Sequence, residues 1–286
     1  MRIAWLGTGL MGRPMAARLL GAGHELAVWN RTAAHAAPLV EQGAKLAATP
    51  AAAVAAAEVV FTMLRDGRVT RAALFGEPTP ELAGRTVVQM GTISPEESRE
   101  LARDVVIDGG RYLEAPVLGS IPQATAGELL VFAGGDAALF DELRPLVAPL
   151  ASELRRVGGL GDAATLKIAF NQLIGALATG FCLSLAMVRH AGIDVELFME
   201  ILRRSAFYTV SFDGRLRRYL ERDYANPNFP LALLLKDAEL ALAEATRLDL
   251  GTEAAAGVRA LLARGVDAGL GALDYGALYE AIDPPR

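Results

Sequence analysis

The sequence predicts an α/β domain built on a parallel-rich sheet, followed by an all-α domain, the two joined through a long helix. Three observations predict it. Short apolar runs alternate with alanine-rich segments over the first half of the chain, the pattern of a parallel sheet covered by helices. After about Gly161 no β-branched run appears, and Ala, Leu, Glu and Arg dominate the rest. Between the halves, residues 163–191 form one apolar pattern with few breakers, enough for a helix of about 40 Å at 1.5 Å per residue. The length of 286 residues exceeds the roughly 150-residue prior for one domain. The expected division is 1–162 and 163–286, with the helix at the junction and no Pro, Gly and Ser linker.

The elements follow in order. Ile3-Ala4-Trp5-Leu6 is a strand that enters a glycine cluster, and the Ala-, Leu- and Met-rich stretch after it is a helix. Further strands are expected at Glu25 to Trp29, Val59 to Met63, Thr86 to Met90, Arg111 to Glu114 and Leu129 to Ala133. Helices are expected at Pro50 to Ala57 and Pro95 to Ala102, where alanine tracts read as helix rather than disorder.

Composition narrows the function classes. The chain is 52% apolar and 21% charged, with a net charge of -5, so it has no basic footprint for nucleic acid. Cys182 is the single cysteine, which excludes an internal disulfide and a cysteine-based metal cluster and fits a reducing cytoplasm. His24, His35 and His190 have no metal-ligand spacing, and no metal is expected. The first apolar run is too short for a secretory signal. Leu173 to Val188, broken by Gly175, Gly180 and Ser184, falls short of the roughly 20 apolar residues of a spanning helix. It is expected to be buried, with no membrane partner.

The glycines at Gly7, Gly9 and Gly12 have the G-x-G-x-x-G spacing. In a Rossmann-type dinucleotide fold that spacing tightens a turn, admits a pyrophosphate and packs the helix on the strand. The fingerprint alone is weak, but here it follows the first strand, and strand two ends in Trp29-Asn30-Arg31-Thr32, where such folds read the adenosine ribose. An NAD site usually places Asp or Glu there. Asn30 and Arg31 stand instead, and an arginine pairs with a 2′-phosphate in bidentate fashion. NADP(H) is therefore expected over NAD(H).

Six motifs extend the reading over nearly the whole chain. They are Gly7 to Ala16, Phe61-Thr62-Met63-Leu64, Gly91-Thr92-Ile93-Ser94-Pro95, Glu114 to Ser120 with Ala126 to Leu129, Leu166-Lys167-Ile168-Ala169-Phe170-Asn171, and Phe229-Pro230-Leu231 with Leu235-Lys236-Asp237. In this order they resemble the β-hydroxyacid dehydrogenase family, and Asn228 to Asp237 looks most like its glyoxylate/succinic semialdehyde reductase branch.

The resemblance implies roles for particular residues. The cofactor is expected against Gly7, Thr8, Gly9, Leu10, Met11, Gly12, Asn30, Arg31, Thr32, Met63, Leu64 and Thr92, with Lys236 beside it and Asp237 helping to hold the site closed. Lys167 is implied as the catalytic acid or base, and Asn171, four positions on and therefore on the same helix face, as a substrate-orienting partner. The apolar company of Lys167, from Ala164 to Phe170, is unusual for a lysine on a solvated face. Leu118, Gly119 and Ser120 are expected to hold a substrate carboxylate, with Leu118 standing where relatives commonly present serine. Phe229 is read either as a pocket wall or as a core aromatic.

The expected function is hydride transfer between NADP(H) and a small aldehyde or keto acid, or its hydroxy acid. Alternatives are an NAD(P)-dependent 3-hydroxyisobutyrate, 3-hydroxypropionate or serine dehydrogenase, an imine reductase, and a non-catalytic nucleotide-binding scaffold. Chains resembling the last two generally lack the lysine at Lys167. Broad apolar faces in the helical half lead to the expectation of a homo-oligomer, dimer or tetramer.

Overall fold

The computed structural model describes residues 1–285. The chain divides into a unit Met1–Lys167 and a second from Ile168 onward.

The first unit begins with β1 (Arg2–Leu6), α1 (Gly12–Gly21), β2 (Glu25–Trp29), α2 (Ala37–Glu41), β3 (Lys45–Leu46), α3 (Pro50–Val54), β4 (Val59–Thr62) and α4 (Gly67–Phe75). It continues with β5 (Thr86–Gln89), α5 (Pro95–Ile107), β6 (Arg111–Glu114), β7 (Val117–Leu118), α6 (Ile121–Ala126), β8 (Leu129–Gly134), α7 (Ala137–Val147) and β9 (Ala151–Gly158). The sheet order is β3-β2-β1-β4-β5-β6-β8-β7, with β9 pairing β8. Strands β3 to β6 in that row run parallel.

Strands β1, β4 and β5 are buried at nearly every position because both sheet faces are covered. The pleat divides them. Ile3 and Trp5 of β1, Val59 and Phe61 of β4 and Val88 of β5 enter the core on the α1 side, while Ala4, Leu6, Val60 and Val87 enter the opposite core with α3 and α5. Trp5 and Phe61 stack at 5.3 Å between centroids. Because the order reverses at β1, the carboxyl ends of β1 and β4 flank a topological switch point, where such sheets bind ligands.

The sheet is larger than the strand pattern predicts. β8 runs antiparallel to β6 and β7, and β9 adds a strand that the pattern does not mark. Its Ser152, Glu153, Arg155 and Arg156 are exposed, so it reads as a solvated stretch; pairing with β8, not burial, makes it a strand. Charged side chains of this kind are usual on an edge. β3 and β7, each of two residues, are too short to show a period.

Helix α8 spans Asp162–His190, against an expected 163–191, and leaves the first unit for the second. There follow α9 (Val195–Arg203), α10 (Val210–Glu221), α11 (Leu231–Arg247), α12 (Glu253–Gly265) and α13 (Leu278–Ile282). Phe181 of α8 stacks on Phe212 of α10 at 4.5 Å, and Cys182 lies in the same core, where burial pushes its thiol up to about 12.

The expectation that Leu173 to Val188 is buried holds for one face only. Phe181, Cys182, Leu185 and Ala186 point inward, whereas Leu173, Leu177, Leu183 and Met187 are exposed. An apolar helix buries only the face that finds partners within its own chain. By length and composition α8 also passes as a spanning helix, which the shorter apolar stretch alone does not; its inward face carries the polar Lys167 and Asn171, both buried.

Candidate active site

The glycine turn is built by close approach. Gly7 has φ +104°, in the left-handed region, and a Cβ there would overlap the Met63 carbonyl and Leu64. A Cβ on Gly12 would overlap the Gly7 carbonyl, which also accepts the Trp5 indole N–H at 2.9 Å. Gly9 faces open space. Two glycines therefore close the turn on the sheet and the third leaves the outside clear, the cradle a pyrophosphate requires. Helix α1 starts there with no side-chain cap, so its first N–H groups remain suited to an anion. These features fit a dinucleotide.

Asn30 is engaged differently from a simple ribose ligand. Its Oδ1 accepts the Thr8 backbone N–H at 3.0 Å, and its Nδ2 donates to the Thr32 carbonyl at 2.9 Å. It ties the glycine turn to the end of β2. Arg31 next to it is exposed and has no ion-pair partner among the described residues. Met63 follows β4 and donates its N–H to the Leu6 carbonyl at 2.9 Å. Leu64 lies against Gly7, and its carbonyl abuts Gly91, one residue before the half-buried Thr92. The expected cofactor residues of the first unit thus collect at the carboxyl ends of β1, β2, β4 and β5. Leu10 and Met11 lie in the turn ahead of α1, Leu10 exposed and Met11 half-buried.

The loop expected to hold a substrate carboxylate follows β6. Leu118 sits in β7 opposite Leu130 of β8 and is half-buried. Gly119 has φ +139°. Ser120 donates its hydroxyl to Gln123 Oε1 at 2.6 Å, so that hydroxyl is already used in starting α6.

Lys167 lies in the second turn of α8 and is only 8% exposed. Asn171, one helical turn on, is 4% exposed. In the second unit, Asn171 Nδ2 donates to Asp237 Oδ2 at 2.5 Å, and Lys236 Nζ stands 2.7 Å from Asp237 Oδ1. The amide is thereby held with its Oδ1 buried and lacking a hydrogen-bond partner among the described residues. A buried acceptor of that kind is suited to a ligand donor. Phe229 packs edge-on against Tyr275 at 5.9 Å, among the residues around the second core. Among the described residues no group of His, Cys, Asp or Glu could hold a metal ion.

Glu114, which opens the motif Glu114 to Ser120, is a carboxylate at the end of a buried strand, and that placement is the signal in the sequence that sets it apart from the expected site residues.

Residues 2–159 match the model of the NAD-binding domain of 6-phosphogluconate dehydrogenase, and residues 161–282 the model described as NAD-binding of NADP-dependent 3-hydroxyisobutyrate dehydrogenase. The chain belongs to the β-hydroxyacid dehydrogenase family. This dehydrogenase is 34% identical to 2-hydroxy-3-oxopropionate reductase of Escherichia coli, over 99% of this chain and 97% of that protein. It is 30% identical to glyoxylate/succinic semialdehyde reductase 1 of Arabidopsis thaliana, over 99% and 98%. In fold it is similar to 3-hydroxyisobutyrate dehydrogenase from Salmonella typhimurium, with a TM-score of 0.86 at 24% identity over 97% and 98% of the two chains. The dehydrogenase is an oxidoreductase of CH–OH groups that uses a nicotinamide cofactor.

Proposed function

We propose that this dehydrogenase is an NADP(H)-dependent reductase of small aldehyde or keto acids, of the glyoxylate and succinic semialdehyde type, yielding the hydroxy acid. The observation that carries the reading is Lys167, buried on α8 one turn ahead of an asparagine whose amide is oriented by Asp237. A nicotinamide cofactor, when bound, supplies or accepts a hydride. In reduction, the substrate carbon gains the hydride while its oxygen takes the proton of the Lys167 ammonium, which stabilises the charge developing there. In oxidation, the neutral lysine takes the hydroxyl proton. Asn171 offers its unpartnered Oδ1 to a substrate hydroxyl and orients it. Backbone N–H groups near Gly119 serve a carboxylate.

The preference for NADP(H) rests on the exposed Arg31 and on the absence of an acidic residue at Asn30. The test is one assay of kcat/KM for glyoxylate, succinic semialdehyde and 3-hydroxyisobutyrate, each with the NADP and NAD forms. Reduction of the two aldehyde acids with NADPH is expected to lead. A clear lead for 3-hydroxyisobutyrate oxidation, or for NADH, overturns the corresponding part.

A further inference from the structure

Glu114 is 1% exposed at the end of β6. Its Oε1 accepts the backbone N–H groups of Gly161 and Ala163, each at 2.9 Å, and its Oε2 accepts the Ser98 hydroxyl at 2.5 Å. Tyr112 OH stands 3.1 Å from that Ser98 Oγ, extending the chain of hydroxyls that ends on the carboxylate. Gly134 faces the group, and a Cβ there would overlap Oε1. Burial raises the carboxyl's pKa, and the Ser98, Gly161 and Ala163 hydrogen bonds oppose it.

Burying a carboxylate is costly unless its partners are well placed, and capping a helix does not require it. Thr49, Asp66, Ser94 and Asp136 cap α3, α4, α5 and α7 from the position just before each helix. At α8 the nearby acid, Asp162, turns back to the Gly159 N–H at 2.7 Å. The first turn of α8 is held instead by a side chain 47 and 49 residues away in sequence. Ala163 lies one helical turn below Lys167, on the same face. The strand end that supplies the clamp also feeds the loop with Leu118, Gly119 and Ser120.

We propose that Glu114 is a positioning residue for Lys167: by clamping the first turn of α8 to the end of β6, it fixes where the lysine stands relative to the Leu118–Ser120 loop. The proposal rests on the reading of Lys167 as the proton donor. Small displacements of a reacting group cost rate steeply, whereas a purely structural carboxylate would change stability with no special link to the lysine.

The test is a double-mutant cycle, using NADPH with glyoxylate or succinic semialdehyde, whichever turns over faster. Glu114→Gln keeps the volume and one acceptor; it is expected to lower kcat about tenfold while KM for NADPH stays within about twofold. In a Lys167→Ala background the same change is expected to cost less than about twofold. Glu114→Asp, which keeps the charge, should recover part of the loss. If Glu114→Gln folds poorly, Ser98→Ala loosens the clamp from outside and is read in the same cycle, with a loss of about threefold expected. Equal losses in both backgrounds, or an unchanged kcat in Glu114→Gln or its Ser98→Ala substitute, overturn the proposal and leave the lysine reading intact. Near-normal turnover of Lys167→Ala alone overturns the lysine reading itself and, with it, this one.

Discussion

Asn171 donates its side-chain amide to Asp237 at 2.5 Å, joining α8 to α11 through two buried polar side chains, 4% and 2% exposed. Removing the acceptor leaves a buried N–H without a partner. Asp237→Ala is therefore expected to cost about 1–3 kcal/mol of stability and to raise KM for the acid substrate, because Asn171 is no longer oriented. Thermal melting and steady-state kinetics read the two effects; a variant unchanged in both would show that the contact holds neither the fold nor the amide.

Lys167→Ala is expected to lower kcat by about 10²-fold or more, the scale of losing a general acid, with NADPH affinity little changed. Lys167→Arg should also turn over poorly, since a guanidinium stays protonated and differs in shape. Cofactor titration alongside single-turnover kinetics separates these effects, and normal turnover in either variant would remove the lysine from proton transfer.

After β2 the exposed Arg31 is the group proposed to read a 2′-phosphate. Arg31→Ala should raise KM for NADPH much more than for NADH, by about 1.5–3 kcal/mol for a lost charge-assisted bond. Equal effects on the two cofactors would assign Arg31 to the solvated surface.

Leu118 lies on β7 in register with Leu130, and Ser120 already spends its hydroxyl on Gln123. The loop is thus short of a free hydroxyl. Leu118→Ser should strengthen binding of small acids by about 1 kcal/mol if its hydroxyl reaches the anion. Weaker binding of every acid would mean that Leu118 packs the loop.

The outward row of Leu173, Leu177, Leu183 and Met187 on α8 is proposed to be covered by a second copy of the chain, since contiguous apolar faces seldom stay bare. Light scattering after gel filtration should give at least a dimer mass. Leu177→Glu with Leu183→Glu should shift it toward monomer, and a monomeric parent chain would end the proposal.

The two-domain order, the principal strands and the long helix were legible in the sequence because each rests on local pattern: short apolar runs where a strand is covered on both faces, and one long apolar stretch with few breakers for the helix. The glycine turn was legible from its spacing, and Gly12 answers a close approach to Gly7 within a single strand, turn and helix, whereas the approach at Gly7 is to Met63 and Leu64 after β4 and shows only in the packed sheet. The charged edge strand β9 was not, because its strand character comes from pairing with β8 and not from a buried face. Neither was the half-open surface of α8, whose apolar length says nothing about how many faces find partners in the chain. Lys167 and Asn171 could be placed on one helix face by spacing alone. Only the tertiary structure decided that Glu114 holds that helix from 47 residues away in sequence, and that Asp237, 66 residues from Asn171, holds its amide. Hydrogen bonds between residues so far apart in sequence leave no period to read; they exist only once the strands and helices have packed.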